Sequence, residues 1–267
     1  MTSQSSWFEK AVAALTDTRD QRVWSIIVSL FGDLAQDPGA QISGGALTRV
    51  IEPMGIKPEA VRVALHRLRK DGWIESDRVG RVSHHYLTEF GRAQSAAVTP
   101  RIYARTGNVS QNWHLLIAED GVGTQLLDDV LLSREYASIG RNIALGSGPA
   151  PDLDDALLSV TITAQHAPKW LQDRLCPKDL CLACQALLEA VQTASKSRPS
   201  KHALSPSQTA TLRTLLVHRW RRIVLRQPDL PDGFFPPDWL GPECRAAVFD
   251  LLDTLDHPSP DLLNSTE

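Results

Sequence analysis

Residues 58–88 of this chain, PEAVRVALHRLRKDGWIESDRVGRVSHHYLT, decide what fold its first part adopts. The segment Pro58–Lys70 predicts a helix, because proline is tolerated in a first helical turn and the pair Asp71-Gly72 is a typical helix stop. One face of this helix is predicted to be buried, since apolar residues recur on it at three- and four-residue spacing. The residues of this apolar face are Val61, Ala64, Leu65 and Leu68.

A second face of the same predicted helix carries cations. Arg62, His66 and Arg69 recur at i, i+4 and i+7, and Arg67 and Lys70 lie beside them in the sequence. Arginine and histidine have the reach and the donor groups that guanine edges and phosphates require in the major groove of DNA. The pattern therefore favours a helix that recognises DNA, although a charged face that meets only water has the same composition.

Immediately after this helix, two runs of strand-forming residues predict a β-hairpin. The runs are Trp73–Val79 and Val82–Thr88, and Gly80-Arg81 separates them as a tight turn. Arg78 and Arg81 lie on either side of the turn glycine, so that the turn presents two cations to a neighbouring DNA backbone or minor groove. The alternative is an interaction module whose cations meet only solvent.

Two further helices are predicted upstream of residue 58. Apolar spacing predicts one over Arg19–Leu34, which Asp37-Pro38-Gly39 ends. Ser43 is predicted to cap a second, shorter helix that Pro53 and Gly55 end, and Ser43 is also a candidate for DNA contact. Three helices followed by a two-stranded hairpin is the order of elements in a winged helix-turn-helix domain.

The distribution of charge agrees with a nucleic-acid partner for this region. The 267 residues include 28 Lys+Arg and 31 Asp+Glu, a net charge of −3, yet residues 57–92 carry 8 basic and 5 acidic residues. Residues 101–200 and 201–267 are each net −2. Because phosphate contacts depend on the local field more than on total charge, a basic segment on an otherwise acidic chain favours DNA binding.

Composition excludes several other classes of protein. A hydrophobic content of 42% and a charged content of 22% are ordinary for a globular chain and exclude a disordered tail or a collagen. The longest strongly apolar stretch, Trp24–Phe31, is far shorter than the roughly 20 residues that a membrane helix needs. Met1–Ser6 has no charge, so that no secretory signal is expected, and four cysteines do not make a disulfide framework. We therefore expect a cytoplasmic protein without a membrane partner.

Two motifs resemble one known family. Residues 60–72, AVRVALHRLRKDG, and the hairpin sequence that follows them resemble the amino-terminal domain of the phenylacetate-degradation repressor (PaaX-type) family. Residues 217–226, VHRWRRIVLR, with Pro228, Leu230-Pro231 and Asp238-Trp239 after them, are similar to that family's carboxy-terminal signature. The two motifs stand in the order that the family has.

The resemblance implies an α+β multidomain fold and a bacterial, homodimeric transcriptional repressor. It implies a winged helix-turn-helix DNA-binding domain over residues 1–100, a small central ferredoxin-like (Cas2-like) α/β domain over 101–167, and a helical effector and dimerisation domain over 168–267. It also implies that an aryl- or acyl-CoA thioester, phenylacetyl-CoA in the founding members, binds as the small-molecule effector and releases the repressor from double-stranded operator DNA.

The predicted elements of the central region are compatible with a compact α/β domain. Trp113–Ala118 predicts a buried strand, Thr124–Leu132 a helix, and Tyr136–Leu145 and Leu157–Thr163 further strands. Family members usually carry a proline-bearing acidic turn after the first central strand. The turn in this chain, Glu119-Asp120-Gly121, has no proline.

The same acidic turn gives an enzymatic alternative. Nucleases related to the ferredoxin-like domain place a carboxylate after the first strand and hold a divalent metal with it, as Glu119 or Asp120 would. Such residues also commonly cap loops. The chain has no Walker A, Gly-x-Gly-x-x-Gly, His-Glu-x-x-His or Gly-x-Ser-x-Gly motif. We therefore expect a protein that is not an enzyme and that needs no cofactor.

Cysteine spacing gives a third alternative. Cys176-x4-Cys181-x2-Cys184, with Cys244 much later, matches the ligand spacing of a plant-type iron–sulfur protein and would make the chain a redox-sensing regulator. Leu180–Val191 predicts a helix, however, and Cys184 on its apolar face is more simply a small core residue. We expect no metal site.

Four arginines crowd about two turns of the predicted C-terminal helix. They are Arg219, Arg221, Arg222 and Arg226. One interpretation pairs them with nearby acidic residues such as Asp229, Asp232 and Asp238. The other is a clamp for the phosphates or carboxylates of the CoA part of an effector, since guanidinium groups make bidentate contacts with such anions.

Overall fold

The structure is a computed structural model that describes residues 2–17, 22–107, 112–132, 136–150, 156–162, 167–196, 198–199 and 204–265. Within these ranges the chain has eleven α-helices and two antiparallel sheets, one of three strands and one of four. The predicted α+β class is therefore confirmed. The chain forms two compact units, which we describe separately: the first comprises residues 1–103, 186–222 and 246–267, and the second comprises residues 104–185 and 223–245.

The N-terminal part of the first unit contains the predicted helices and hairpin, and helix α4 has the predicted bounds. In chain order they are α1 (Thr2–Leu15), α2 (Val23–Leu34), β1 (Ile42–Ser43), α3 (Gly44–Ile51), α4 (Pro58–Lys70), β2 (Ile74–Val79), β3 (Val82–Leu87) and α5 (Glu89–Ile102). The predicted helix over 19–34 is confirmed from Val23 onward; Arg22 has an extended backbone and caps the helix instead of joining it, and residues 19–21 lie outside the described part of the chain. Helices α1 and α5 and strand β1 were not predicted.

Helix α4 packs against α2 with the face that the sequence predicts to be buried. Val61, Ala64, Leu65 and Leu68 are all buried. Strands β2 and β3 form the predicted hairpin, with Val79 opposite Val82, and β1 adds to β3 so that the sheet order is β1-β3-β2. The backbone of α4 therefore has one side fixed by the core and the other directed to solvent.

Helices from the C-terminal half complete the first unit. They belong to α8 (Lys178–Lys196), α9 (Pro206–Val224), α10 (Gly241–Leu252) and α11 (Pro260–Ser265). Trp220 Nε1 donates to the Ile102 carbonyl at 2.8 Å, and Thr211 Oγ1 donates to the Val50 carbonyl at 2.8 Å. The domain boundaries predicted after residues 100 and 167 stay a prediction. The compact units are defined by packing, and the first of them combines segments from both ends of the chain.

The second unit is built on a four-stranded sheet. Its elements begin with β4 (Trp113–Ala118), α6 (Val122–Leu132), β5 (Tyr136–Gly140), β6 (Ile143–Ser147), β7 (Leu157–Ile162) and α7 (Lys169–Leu175). The strand order is β5-β6-β4-β7, and every neighbouring pair is antiparallel. Leu127 of α6 packs on the sheet residues Leu116, Ala144 and Leu157. The predicted strand and helix over 113–132 are confirmed, whereas residue 163 lies outside the described residues.

The predicted strand interval 136–145 contains two strands. Strand β5 ends at Gly140, the chain turns, and β6 begins at Ile143 and pairs back along β5. Ala137, Ile139, Ile143 and Leu145 keep the same alternation on both sides of the turn, which makes the interval look like one strand, although Gly140-Arg141-Asn142 between them contains turn-forming residues. None of the described helices is long and apolar enough to span a membrane.

Candidate nucleic-acid interface

Helix α4 directs most of its predicted DNA-binding side chains to solvent. Arg62, His66, Arg69 and Lys70 are exposed, because the opposite face of the helix is occupied by the apolar contacts with α2. Arg62 forms an ion pair with Glu59 at 2.9 Å, and both side chains are about 70% exposed. A pair this exposed adds little stability, about 0.3–0.5 kcal/mol at helical spacing, and therefore leaves Arg62 easy to redirect to a phosphate.

The hairpin turn adds two more exposed cations. Gly80 has a φ of +64°, a left-handed conformation that favours glycine, and it allows the tight turn between Val79 and Val82. Arg78 Nε donates to the Gly80 carbonyl at 3.2 Å, and Arg81 is exposed. We use the term cationic surface for the exposed basic side chains of α4 and this turn, leaving out Arg67, which stacks on Trp24. It comprises Arg62, His66, Arg69, Lys70, Arg78 and Arg81.

Two of the eight predicted DNA-binding residues are placed differently. Arg67 is exposed but has protein partners, since its guanidinium lies 5.1 Å from the centre of the Trp24 ring and its Nε lies 3.4 Å from Asp71 Oδ2. Ser43 is buried, and its hydroxyl accepts a hydrogen bond from the Ala46 amide at 3.1 Å. The predicted cap of α3 is therefore confirmed, and the structure does not bring the Ser43 hydroxyl to the exposed face.

The last turn of α4 is connected to the hairpin through a serine and a buried histidine. Arg69 Nη1 lies 3.4 Å from Ser76 Oγ, and Ser76 Oγ lies 2.6 Å from His85 Nδ1. Burial, with the nearby Arg69 and His84 charges, lowers the pKa of His85 to about 4. His85 is therefore neutral near pH 7 and its Nδ1 can accept a hydrogen bond.

Three residues in or beside the cationic surface are not among the DNA-binding residues predicted from the sequence. They are Ser76, His85 and the exposed Val63. The two-residue turn at Gly80-Arg81 fixes the hairpin register that sets Ser76 opposite His85, so that this pair could have been found. Val63 is 70% exposed and lies three residues before His66, on the face of α4 that carries the cations. Helical spacing alone could have placed Val63 there, since it falls outside the apolar stripe.

The four arginines of the C-terminal signature do not form one cluster within a single unit. In the first unit, Arg219 Nη1 donates to the Ala14 and Leu15 carbonyls at 3.4 Å, and Arg221 Nη1 donates to Ser29 Oγ at 3.1 Å. Arg222 is half-buried in the same unit. Two of these arginines are thus engaged by backbone or hydroxyl groups of the N-terminal helices.

Arg226 belongs to the second unit, where Asp179 is its ion-pair partner at 2.5 Å. The pKa of the Asp179 carboxyl is lowered, chiefly by its hydrogen bond from Arg226. Arg226 therefore pairs with an acidic residue, as one of the two interpretations predicts. The partner is Asp179 and not Asp229, Asp232 or Asp238.

Two concave sites include arginines of this group. In the first unit, Arg221 lines a cavity of about 30 Å³, which has room for water rather than for the acyl chain of a thioester. In the second unit, Arg226 and Arg174 line an open cleft of about 410 Å³ together with Tyr136 and Ser138. A cleft of this size is in the range of small-molecule sites.

The acidic turn and the cysteines are also placed by the structure. Asp120 Oδ1 accepts a hydrogen bond from Asn142 Nδ2 at 2.6 Å on the exposed side of the second unit. Cys176 and Cys181 form a disulfide bond, and Cys184 and Cys244 are buried free thiols. In the described ranges, no three His, Cys, Asp or Glu side chains are grouped so that they could hold a metal ion.

Comparison with known proteins identifies the class to which this chain belongs. Residues 22–91 match the family model described as PaaX-like protein, and residues 178–265 match the model described as PaaX-like protein C-terminal domain. The chain therefore belongs to the PaaX-type family, and the resemblance inferred from the two sequence motifs is confirmed. The cationic surface lies wholly within the first matched region.

Two individual proteins are similar to this chain over most of its length. It is 27% identical over 252 residues to the protein named Transcriptional repressor PaaX of Escherichia coli (strain K12), covering 85% of this chain and 78% of that protein. It also resembles the solved structure of an uncharacterized protein, Rv0674, from Mycobacterium tuberculosis, with 21% identity and a TM-score of 0.52 over 90% of this chain and 97% of that one. At that identity, the second likeness concerns the fold alone.

Proposed function

We propose that this protein is a transcriptional repressor that binds double-stranded operator DNA in the cytoplasm through its cationic surface. The observation that carries the proposal is the exposure of three cations and a histidine on α4 and two cations on the adjacent hairpin turn, opposite a face fixed by the core. Membership of the PaaX-type family and similarity to a protein named as a transcriptional repressor support it.

The proposed geometry is that of a winged helix-turn-helix domain. Helix α4 enters the major groove as the recognition helix, and Arg62, His66 and Arg69 contact base edges or adjacent phosphates. The hairpin acts as the wing, and Arg78 and Arg81 hold the DNA backbone or enter the minor groove. A homodimer would engage a palindromic operator with half-sites one helical turn, or a multiple of it, apart.

For the rest of the chain we propose the two domains that the PaaX-type family implies. We propose that residues 101–167 form a ferredoxin-like domain, and the antiparallel strand order β5-β6-β4-β7 supports it, because a ferredoxin-like sheet has this order. Residues 168–267 would then serve effector binding and dimerisation. In this proposal, the overall net charge of −3 limits non-specific attraction to DNA, so that contact falls to the few placed cations.

We further propose that an aryl- or acyl-CoA thioester is the effector that releases the protein from DNA. The open cleft of the second unit supports this proposal, because Arg226 and Arg174 supply cations for CoA phosphates and Tyr136 with Leu131 supplies apolar contact. Arg219, Arg221 and Arg222 remain candidates for effector contact.

Electrophoretic mobility shift with the DNA upstream of the protein's own gene tests both proposals. Specific retardation that unlabelled operator competes away supports the repressor, and release of the DNA by one member of a panel of CoA thioesters supports the effector. Adding Mg²⁺ or Mn²⁺ to the same reactions tests the nuclease alternative, which requires cleaved DNA. Absence of specific retardation contradicts the repressor, and retardation unchanged by every thioester contradicts the effector.

A further inference from the structure

Arg69 differs from the other cations of α4 in having a defined partner on the hairpin. The chain reverses after α4 at Gly72, whose φ is +72°, and β2 then runs back so that Ser76 lies beside the last turn of the helix. Arg69 Nη1 lies 3.4 Å from Ser76 Oγ. The contact is long for a hydrogen bond, and it sets the guanidinium of Arg69 between the helix and the hairpin.

Ser76 is held in turn by His85, its cross-strand neighbour. The two residues face each other in the antiparallel register of β2 and β3, and Ser76 Oγ lies 2.6 Å from His85 Nδ1. His85 is 5% exposed and its ring lies next to Gly44 at the start of α3, so that the imidazole has little freedom to turn.

The donors and acceptors of these contacts can form a continuous chain of hydrogen bonds from Arg69 to His85. A guanidinium group donates and does not accept, so that Ser76 Oγ accepts from Arg69 and keeps its own proton available for His85 Nδ1. In this arrangement His85 is neutral, with its proton on Nε2. The pKa of about 4, which burial and the Arg69 charge produce, keeps this acceptor available near pH 7.

We propose that Ser76 and His85 are positioning residues that hold Arg69 in the orientation from which it contacts a base pair, and that they thereby determine sequence specificity. This inference rests on the proposed DNA-binding function. An arginine side chain has many rotamers, and orienting it before binding reduces the entropy lost when its fork meets a guanine edge. Loss of the hydroxyl of Ser76 should therefore weaken the contact that Arg69 makes without removing Arg69 itself.

The test is a specificity profile, measured as the affinity for operators in which each base pair of a half-site is changed in turn. Arg69→Ala should flatten the preference at one or two adjacent base pairs. Ser76→Ala should reduce the preference at those same base pairs by about fivefold, in line with the loss of one hydrogen bond of typical net strength. Ser76→Thr, which keeps the hydroxyl, should restore the profile of the wild type.

Two comparisons separate positioning from a structural role. Ser83→Ala removes an exposed hydroxyl from the same hairpin, and it should leave the profile unchanged. The double variant Arg69→Ala/Ser76→Ala should have the profile of Arg69→Ala alone, because Ser76 acts only through Arg69. Thermal melting of each variant confirms that it is folded.

The role of His85 is tested by two substitutions, one that removes the acceptor for the Ser76 hydroxyl and one that keeps an acceptor. His85→Leu should reproduce the profile of Ser76→Ala, whereas His85→Gln, whose amide oxygen can accept from Ser76, should retain more of the preference. If His85→Leu does not fold, the pair Ser76→Ala and Ser76→Thr decides.

The outcomes distinguish this inference from the function on which it rests. A Ser76→Ala profile equal to that of the wild type, a uniform loss across all sequences, or additive effects in the double variant would overturn the positioning role and leave DNA recognition intact. Absence of specific binding by the wild-type protein would overturn the proposed function, and the positioning role with it.

Discussion

Charged residues are used in two opposite ways in the first unit. Asp33 of α2 is buried with Arg213 of α9, and Arg213 donates from Nε and Nη2 to the two carboxylate oxygens at 3.0 and 2.9 Å. Tyr103 donates to Asp33 Oδ1 at 2.5 Å, and His257 Nε2 donates to the Asp33 carbonyl at 2.6 Å. On α4, by contrast, the Arg62–Glu59 pair is largely exposed to water.

The difference shows which charges hold the fold and which are available for binding. Burial raises the pKa of Tyr103 above its ordinary range, and the neighbouring carboxylate of Asp33 raises it further. Such a buried network is satisfied by protein groups and is costly to break from one side. The cations of α4 have lost little hydration, so that they can exchange water for phosphate at low cost.

Asp33→Asn is the substitution that should have the largest effect on stability. It leaves the buried Arg213 charge without its counter-ion, which typically costs about 3–5 kcal/mol. Urea denaturation followed by circular dichroism measures the free energy of unfolding. Asp37→Asn, at an exposed carboxylate just after α2, is the matched control and should change it by no more than about 0.5 kcal/mol. A loss below about 1 kcal/mol for Asp33→Asn would contradict the role of the network.

His85 predicts a loss of stability in acid. Its pKa is about 4 in the folded protein and 6.5 in the unfolded chain, so that the unfolded state binds more protons between these values. Stability should therefore fall as the pH drops from about 6.5 to about 4, by up to about 3 kcal/mol. Urea denaturation at intervals of pH measures this, and His85→Gln should remove the His85 part of the slope. His66→Gln, at an exposed histidine of α4, is the control, and equal slopes in His85→Gln and the wild type would contradict the prediction.

The exposed elements of this comparison were the more predictable ones. Helix α4 and the hairpin follow from local signals: Pro58 at the start, the stripe that contains Leu65 and Leu68, and glycine at the turn. The cap by Ser43 was also predicted from sequence. That cap explains why Ser43 is poorly placed for DNA contact, because a hydroxyl that accepts from a backbone amide at a buried helix start faces the helix.

The buried charges could not have been found in the same way. Asp33 and Arg213 are 180 residues apart in the sequence, and no local period marks either one as a partner of the other. The same holds for Arg219 and Arg221, whose contacts with the N-terminal helices depend on how α9 packs within the first unit. The spacing of these arginines in the sequence suggests one cluster, whereas in the structure each has different partners in α1 or α2.

Arg69→Ala tests whether the exposed cations of α4 recognise the sequence of the DNA. Loss of a guanidinium that contacts a base edge should cost about 1–3 kcal/mol in affinity and change the preference at that position. Competition binding with operator variants measures both quantities. The free energy of unfolding should change little, since the side chain is exposed. A loss of equal size on all sequences would place Arg69 on phosphate instead.

Arg81→Ala should have a smaller effect that does not depend on sequence. Removing one phosphate contact should weaken binding to all DNA alike and reduce the slope of log affinity against log salt by about 1. Titrations at several salt concentrations measure this slope. Lys10→Ala removes one exposed positive charge from α1 and controls for net charge. An equal change of slope in both variants would show that total charge, and not a contact of Arg81, is responsible.

Glu59→Gln should have the smallest effect of these substitutions on stability. It should also raise the affinity for DNA slightly. The exposed pair with Arg62 contributes about 0.3–0.5 kcal/mol, so that the melting temperature should change by little. The same change removes a negative charge beside the proposed phosphate path and frees Arg62 to bind DNA, which should raise affinity slightly at low salt and not at high salt. Glu52→Gln, at an exposed carboxylate just after α3, is the matched control. A gain of affinity that persists at high salt would mean that Arg62 is constrained by something other than its ion pair.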